Sequence, residues 1–427
     1  MGREKLPSWA IALRKERQRH GWSQLRLAVE MEHAADRLQH PCPTRASLIR
    51  MIRGWENGEH KPTEENAMLL AAALGSVVHD LLQLPSATCN DLATPQALVM
   101  ATTRESAAFI NETGLKVIDP LTLEQLQADA ARLAVSYLSA PALATLTEAR
   151  DVRANALRTL QVGCRPEQLK DLHLVIGQLS GIMAYTALDL GYANEAMTHA
   201  RMSWLCGDLA GHNGLRAWVR GTQSLIARFI KRYQEAYEFL QSGFEFATEG
   251  TAYARLASGE AQCFAHFGDS KSTHAAIHRA DDSLEKMTTP DTLGGLFTFS
   301  QAKRFYYAGS SLIWLPDRHD AEVAEKDAEE AIRLWQAAPA GERSYPDELL
   351  AHIYLATARL QQGELDGAAI ALRPVLDIPP ERRISWHRRR LDRVVNILES
   401  DHYRNSSSVQ SIRKEIEEFR NPHAAMD

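Results

Sequence analysis

Thr44-Arg-Ala-Ser-Leu-Ile-Arg-Met-Ile-Arg-Gly-Trp-Glu-Asn-Gly-Glu-His-Lys-Pro62 is the stretch on which the reading of this 427-residue chain turns. Leu48, Ile52 and Trp55 fall at i, i+4 and i+7, one face of a helix. Arg50 and Arg53 point away from that face, and Arg45 lies near its start. Gly58 reads as the helix stop, and Pro62 opposes continuation. A short helix with a buried stripe and outward guanidinium groups suits a major groove, because arginine pairs bidentately with guanine.

Upstream, Trp9, Leu13 and Arg17 keep helical spacing, and Gly21 ends that helix. Ser23 is placed to cap a second helix, whose apolar content begins with Leu25, Leu27 and Ala28. Met31, Ala34, Ala35 and Leu38 continue the spacing, so this helix is expected to run long until Pro41 and Pro43 break it. Downstream, a fourth helix is expected over 64–74, with Met68, Leu69, Ala72 and Ala73 apolar and Gly75 at its end. Residues 77–84 close the unit.

Leu13-Arg14, Arg17, Gly21-Trp22-Ser23-Gln24, then Trp55-Glu56-Asn57-Gly58, Lys61-Pro62 and Ala73-Leu74-Gly75 follow one another in the order of a known family. Over residues 6–84 the chain resembles the phage-repressor-type (XRE) helix-turn-helix. The resemblance implies a lambda-repressor-like head that binds double-stranded DNA. It implies that Arg17 and Glu56 form a structural ion pair and that Gln24 caps the second helix against a phosphate. It places Ile49, Arg50, Arg53 and Gly54 at base-facing positions and Lys61 at a phosphate position. Arg45 and Ser47, at the start of the reading helix, complete the expected DNA contacts. The family joins its second helix tightly to the reading helix; here residues 29–43 lengthen that link.

The charge is divided unevenly. Residues 1–62 carry 12 Lys and Arg against 7 Asp and Glu, a net +5, while the remainder carries 36 against 47, a net −11. Positive charge thus collects where phosphates would be met. It is modest for one head, so a homodimer that doubles the phosphate contacts is expected. Apolar content of 45% supports large cores and excludes a wholly disordered chain. No segment approaches the ~20 apolar residues of a membrane span, and the N-terminus lacks the apolar core of a signal peptide. A cytoplasmic location is expected. The five cysteines, Cys42, Cys89, Cys164, Cys206 and Cys263, are scattered and fit a reducing compartment.

Pro85 to Pro95 reads as a linker within 85–120, with 99–113 partly ordered. From about Leu121 the composition is helical throughout, so the fold class is expected to be all-α. A repeated form is visible. Gly191-Tyr-Ala-Asn-Glu-Ala196 ends one helix and starts the next, and Lys231-Arg-Tyr-Gln-Glu-Ala236 is its counterpart 40 residues on. Gly268-Asp-Ser-Lys-Ser272 follows 37 residues later, and Gly363-Glu-Leu-Asp-Gly-Ala368 repeats the form near the end. Residues 321–335 supply another second helix. This pattern resembles a tetratricopeptide (TPR) array with long, degenerate repeats over roughly 120–400. It implies an α-solenoid domain over 121–427, in which Ala196, Ala236 and Ala368 allow close helix packing. A generic α-solenoid would look almost the same.

Stacked helix pairs leave a concave surface that commonly takes a partner. Tyr185, Trp218, Arg228, Tyr306, Tyr307 and Tyr354 are the candidate lining residues, with packing between helices as the alternative. The basic stretch Glu381-Arg-Arg-Ile-Ser-Trp-His-Arg-Arg-Arg-Leu-Asp-Arg393 is expected to be a solvated face of a capping helix or, less readily, a DNA contact. Residues 409–419 form a last amphipathic helix on Ile412, Ile416 and Phe419, either a cap or a dimer contact.

No phosphate loop, nucleophile elbow or His-Glu-x-x-His pair is present. His274 and His278 stand at i, i+4 with Asp281 and Asp282 behind, and His33, His40 and Cys42 lie together after the second helix. Both sets are expected to be incidental, so no metal, cofactor or enzymatic activity is anticipated. The expected function is that of a bacterial, actinobacterial-type transcription regulator. Its head binds operator DNA, and its body senses a peptide, small-molecule or protein ligand and holds a dimer. The alternative is a non-enzymatic TPR scaffold acting through protein contacts, its head not engaging DNA. An enzyme would require a deep polar pocket with clustered acids and histidines.

Overall fold

A computed structural model describes residues 6–38, 40–74, 118–162, 165–403 and 407–420. Among these residues the elements are eighteen α-helices and three short 3-10 turns, with no strand. The all-α expectation holds. The chain divides into two compact units, Met1–Thr113 and Gly114–Asp427. Gly75, residues 77–84, the linker up to 117 (with 99–113), Cys89 and Cys164 lie outside the described residues.

The N-terminal unit holds α1 (Ser8–Arg19), α2 (Gln24–Leu38), α3 (Arg45–Glu56) and α4 (Glu64–Leu74). Leu13, Leu27, Met31, Leu48, Ile52, Trp55, Leu69 and Leu70 are fully buried between them. At about 1.5–3 kcal/mol for each large apolar side chain removed from water, this cluster is the unit's main source of stability. The Ser23 hydroxyl accepts from the Arg26 amide at 3.1 Å and starts α2. Helix α2 runs long, with Met31, Ala34 and Ala35 buried, although Leu38 is 48% exposed at its end. The inward row of α4 differs from expectation. Met68 and Ala72 face out, and Ala67, Leu70 and Leu74 bury at i, i+3 and i+7. That row packs on α2, which the local apolar pattern alone did not specify. Gly58 ends α3 at φ 75°, and a Cβ there would stand 2.6 Å from Pro7 Cδ. It serves both the left-handed turn and a close approach to the start of α1.

The C-terminal unit runs through α5 (Pro120–Ser136), α6 (Ala142–Val162), α7 (Pro166–Asp189), α8 (Ala193–Ala210), α9 (Asn213–Phe229), α10 (Tyr233–Gln241) and α11 (Ala252–Phe267). It continues with α12 (Ser270–Glu285), α13 (Gln301–Leu312), α14 (Arg318–Ala337), α15 (Tyr345–Gln362), α16 (Leu365–Leu376), α17 (Ser385–Leu398) and α18 (Ser407–Arg420). Neighbours in sequence pack on each other along most of the unit. In addition, α5, α7, α9, α11, α13, α15 and α17 pack in series, each on the next, as a continuous inner row. The inner helices are buried nearly all round, whereas α12, α14 and α16 bury one stripe. The row curls, because α17 also touches α7, where Ser385 Oγ donates to the Leu188 carbonyl at 2.7 Å. Ile412, Ile416 and Phe419 of α18 are buried in this same unit, against α16 and α17. No helix among the described residues is long and apolar enough to cross a membrane.

Candidate functional site

Helix α3 sorts its side chains as its periodicity requires. Leu48, Ile52 and Trp55 are buried, while Arg50 and Arg53, one turn apart, are exposed and make no hydrogen bond or ion pair among the described residues. Lys61, beyond the exit turn, is also exposed and unpaired among the described residues. These three cations have their charge free for a ligand. The other expected contacts are placed differently. Arg45 forks onto Glu32 of α2, with Nε at 2.8 Å, so the lengthened link is tied to the start of α3. Ser47 shares a hydrogen bond with Thr44 at 3.0 Å and is half-buried. Ile49 packs partly into the core. Gly54 corrects its expected base-facing role: it is buried, and a Cβ there would meet His60 Cε1 at 2.6 Å. The close approach that this glycine permits is to the His60 ring of its own chain.

Glu56 is the electrostatic centre of the unit. Its carboxylate is 2% exposed and accepts from Arg17 Nε at 2.6 Å, Arg17 Nη2 at 3.0 Å and Gln24 Nε2 at 2.9 Å. Arg14 Nη2 donates to the Glu56 carbonyl at 2.9 Å. Burial alone would raise the Glu56 carboxyl, but the Arg17 and Gln24 hydrogen bonds and the Arg17 and Arg14 charges outweigh it and hold the group below its ordinary range. Gln24, expected at a phosphate, thus commits an amide hydrogen inward to Glu56.

In the C-terminal unit four of the six candidate lining residues meet. Tyr185, Tyr306, Tyr307 and Tyr354 line one interior cavity, together with residues that sequence reading did not single out: Tyr137, Asp189, Arg255, Lys303 and Asp347. Tyr137 donates to Asp189 Oδ2 at 2.7 Å, Arg255 Nη2 donates to the Tyr185 hydroxyl at 2.9 Å, and Ser344 donates to Asp347 at 2.7 Å. Lys303 Nζ donates to the Thr298 carbonyl at 3.1 Å. Lys303 and Asp347 are both half-buried. Trp218 stacks on Tyr185 with centroids 5.3 Å apart and donates to the Leu296 carbonyl, as a core residue does. Arg228 lies elsewhere, in a different cavity. The free volume of the tyrosine cavity is about 40 Å³, room for a few waters and no more. Asp189 and Asp347 have no histidine beside them among the residues that line this cavity.

The buried carboxyl has a consequence for stability. Burial pushes Asp189 up to about 8, with the Tyr137 hydrogen bond opposing and the Asp347 charge adding. Unfolded, an aspartate titrates near 3.9. Between about pH 4 and 8 the folded chain therefore holds a proton that the unfolded chain lacks, and stability falls as pH rises, by at most about 1.4 kcal/mol per pH unit. Asp189→Asn keeps an acceptor for Tyr137 and removes the titration. Its denaturant midpoint is expected to gain on wild type progressively from about pH 5 to 8; parallel curves for the two proteins would refute this.

The basic stretch 381–393 is divided: Arg382, Arg388 and Arg389 are exposed, as expected of a solvated face, while Arg383, Arg390 and Arg393 are half-buried. Arg389 donates to the Phe229 carbonyl and Arg393 to the Ile313 carbonyl, so α17 turns arginines onto the ends of α9 and α13. His274 donates to or accepts from Asp320 at 2.8 Å, and Asp281 and Asp282 pair with Arg304 and Lys286. His40 bonds the Pro41 carbonyl, His33 lies beside Glu30, and Cys42, Cys206 and Cys263 are free thiols. Among the described residues no three His, Cys, Asp or Glu side chains gather as a metal set. Comparison with protein-family models, curated proteins and solved structures found no match.

Proposed function

We propose that this chain is a DNA-binding transcription regulator with an XRE-type helix-turn-helix head and a TPR-like solenoid body. The reading is carried by α3, which buries an apolar stripe and leaves Arg50 and Arg53 unpaired on its outer side. Two unpaired guanidinium groups one turn apart on a short exposed helix face match the donor pattern that reads guanine in a major groove. The paired, serially packed helices of the second unit support the solenoid reading. In this reading the protein acts as a homodimer. A ligand in the body changes the spacing of two heads, which engage successive major grooves only when about 34 Å apart.

The test is selection of duplexes from a random pool by the full chain, with an enriched motif as the expected result and an unenriched pool as the result that sinks the reading. On the selected duplex, Lys61→Ala is expected to lower the slope of log affinity against log salt by about 1, leaving base preference unchanged. A second reading, a scaffold whose head does not engage DNA, draws on Arg45 and Gln24. Both are engaged within the protein, with Glu32 and Glu56. An unchanged mixture after selection favours it.

A further inference from the structure

We propose that the cavity between the ends of α9, α13 and α15 and the inner face of α17 binds a small phosphorylated metabolite carrying several negative charges. It leaves about 750 Å³ of free space, within the roughly 300–1,000 Å³ of small-molecule sites. The tyrosine cavity falls far short of that.

Five cations line it: Arg228, Lys231, Arg389, Arg390 and Arg393. None pairs with a carboxylate among the described residues. The one acid in the lining, Asp392, is engaged by Arg420. Helix-end carbonyls account for a single donor on each of Arg389 and Arg393. They leave Arg393 Nε and Arg390 Nε buried without a partner, and Arg228 Nη1 likewise. Arg228 is 6% exposed, and its one hydrogen bond runs from Nε to the Ser224 carbonyl at 3.4 Å. Each guanidinium lies over an aromatic ring, Arg228 on Tyr307, Arg389 on Phe229, Arg390 on Trp386 and Arg393 on Trp314, and none has an anion beside it among the described residues. The rigid fork of arginine suits phosphate oxygens, and several such forks around one space suit a polyanion better than a single carboxylate.

Lys231 adds an independent sign. The turns after α7, α8, α11 and α15 put glycine in the left-handed region, at Gly191, Gly211, Gly268 and Gly363. The turn after α9 has the same form, and there Lys231 stands at φ 63°, the one non-glycine residue at positive φ among the described residues. The Lys231 amide bonds the Arg228 carbonyl at 3.1 Å, as the glycines bond theirs. The chain accepts backbone strain at this turn and places an ammonium on the rim of the cavity. The field of these cations also reaches His266, which stacks on Tyr233 and tilts against Trp314: burial first, then Arg390, Arg228, Arg393 and Lys231, push its imidazole down to about 3.

The inference rests on the reading of the second unit as the sensing part for its biological use, but direct binding tests it separately. Sodium tripolyphosphate is titrated calorimetrically into the full chain at about 0.15 M potassium chloride. Wild type is expected to bind in the micromolar range. Arg228→Gln is expected to weaken binding at least about tenfold. Lys231→Gly is expected to weaken binding several-fold while the thermal midpoint of the free protein holds or rises, because glycine relieves the strain. A purely structural lysine would not separate the two effects. Citrate is expected to bind at least about tenfold more weakly than tripolyphosphate. No heat up to about 1 mM tripolyphosphate, equal binding by both variants and wild type, equal binding of citrate, or loss of binding only in Arg50 and Arg53 variants each overturns the proposal. Tripolyphosphate binding that leaves DNA affinity unchanged keeps the site and removes the sensing role.

Discussion

Replacing Arg50 and Arg53 together by alanine is expected to lower the affinity of the full chain for its selected duplex by about 100-fold or more. A good bidentate arginine–guanine pair is worth about 1–3 kcal/mol of discrimination, so two lost pairs give about 2–6 kcal/mol. Neither side chain has a partner among the described residues, and both are exposed. Their removal should therefore change stability by no more than about 0.5 kcal/mol. The loss should fall on the selected sequence. A scrambled duplex, held through phosphates, should lose far less, and the preference between the two should collapse. Fluorescence anisotropy on both duplexes at one salt concentration reads all of this. Equal losses on the two duplexes would make the arginines phosphate contacts. No loss on either would take α3 out of the groove and leave the scaffold reading.

Much of the fold was legible because helical periodicity reports burial directly. Leu48, Ile52 and Trp55 were read as one inward face, and they are buried. The long α2 was legible from Met31, Ala34 and Ala35. The turns at Gly191, Lys231, Gly268 and Gly363 were legible from repeated local chemistry, although the turn at Gly211 escaped notice. Periodicity does not report which partner a polar side chain meets. Arg45 looked free but is held by Glu32, and Gly54 looked like an opening but lies under His60. The half-burial of Arg390 and Arg393 was not legible, because nothing local says that α17 curls back across the ends of α9 and α13. The tyrosine cavity is built from residues far apart in sequence, from Tyr137 to Arg390. Only the packing of the inner row brings them together. Four tyrosines stand out by residue type alone, whereas Asp189, Lys303 and Asp347 lie in three different helices with nothing local to link them.

Glu56→Ala is expected to be the most destabilising single change in the N-terminal unit, by about 3–5 kcal/mol. The substitution removes the acceptor for Arg17 and Gln24 and leaves Arg17, whose side chain is 12% exposed, without its counter-ion. A unit of 113 residues has roughly 6–17 kcal/mol to lose, so a substantial part of its stability goes. Hydrogen exchange separates this from a global effect: amides of α1 to α3 should lose protection while those of α7 to α15 keep theirs. DNA affinity should fall with it, for selected and scrambled duplexes alike, unlike the sequence-selective loss from Arg50 and Arg53. Acid should act in the same direction. The Glu56 carboxyl is held below its ordinary range, so its contribution is present above the unfolded value near 4.3 and is lost as pH falls through the lower folded value. Protection of α1 to α3 should therefore fail first below about pH 4. Arg17→Met combined with Glu56→Leu discriminates between causes. If the cost comes from stranding a buried charge, the apolar pair recovers most of the stability lost in Glu56→Ala. If the double variant is as unstable as the single one, the network holds the unit through its geometry, the fork from α1 and the amide from α2 meeting at the end of α3, and charge balance is the lesser part.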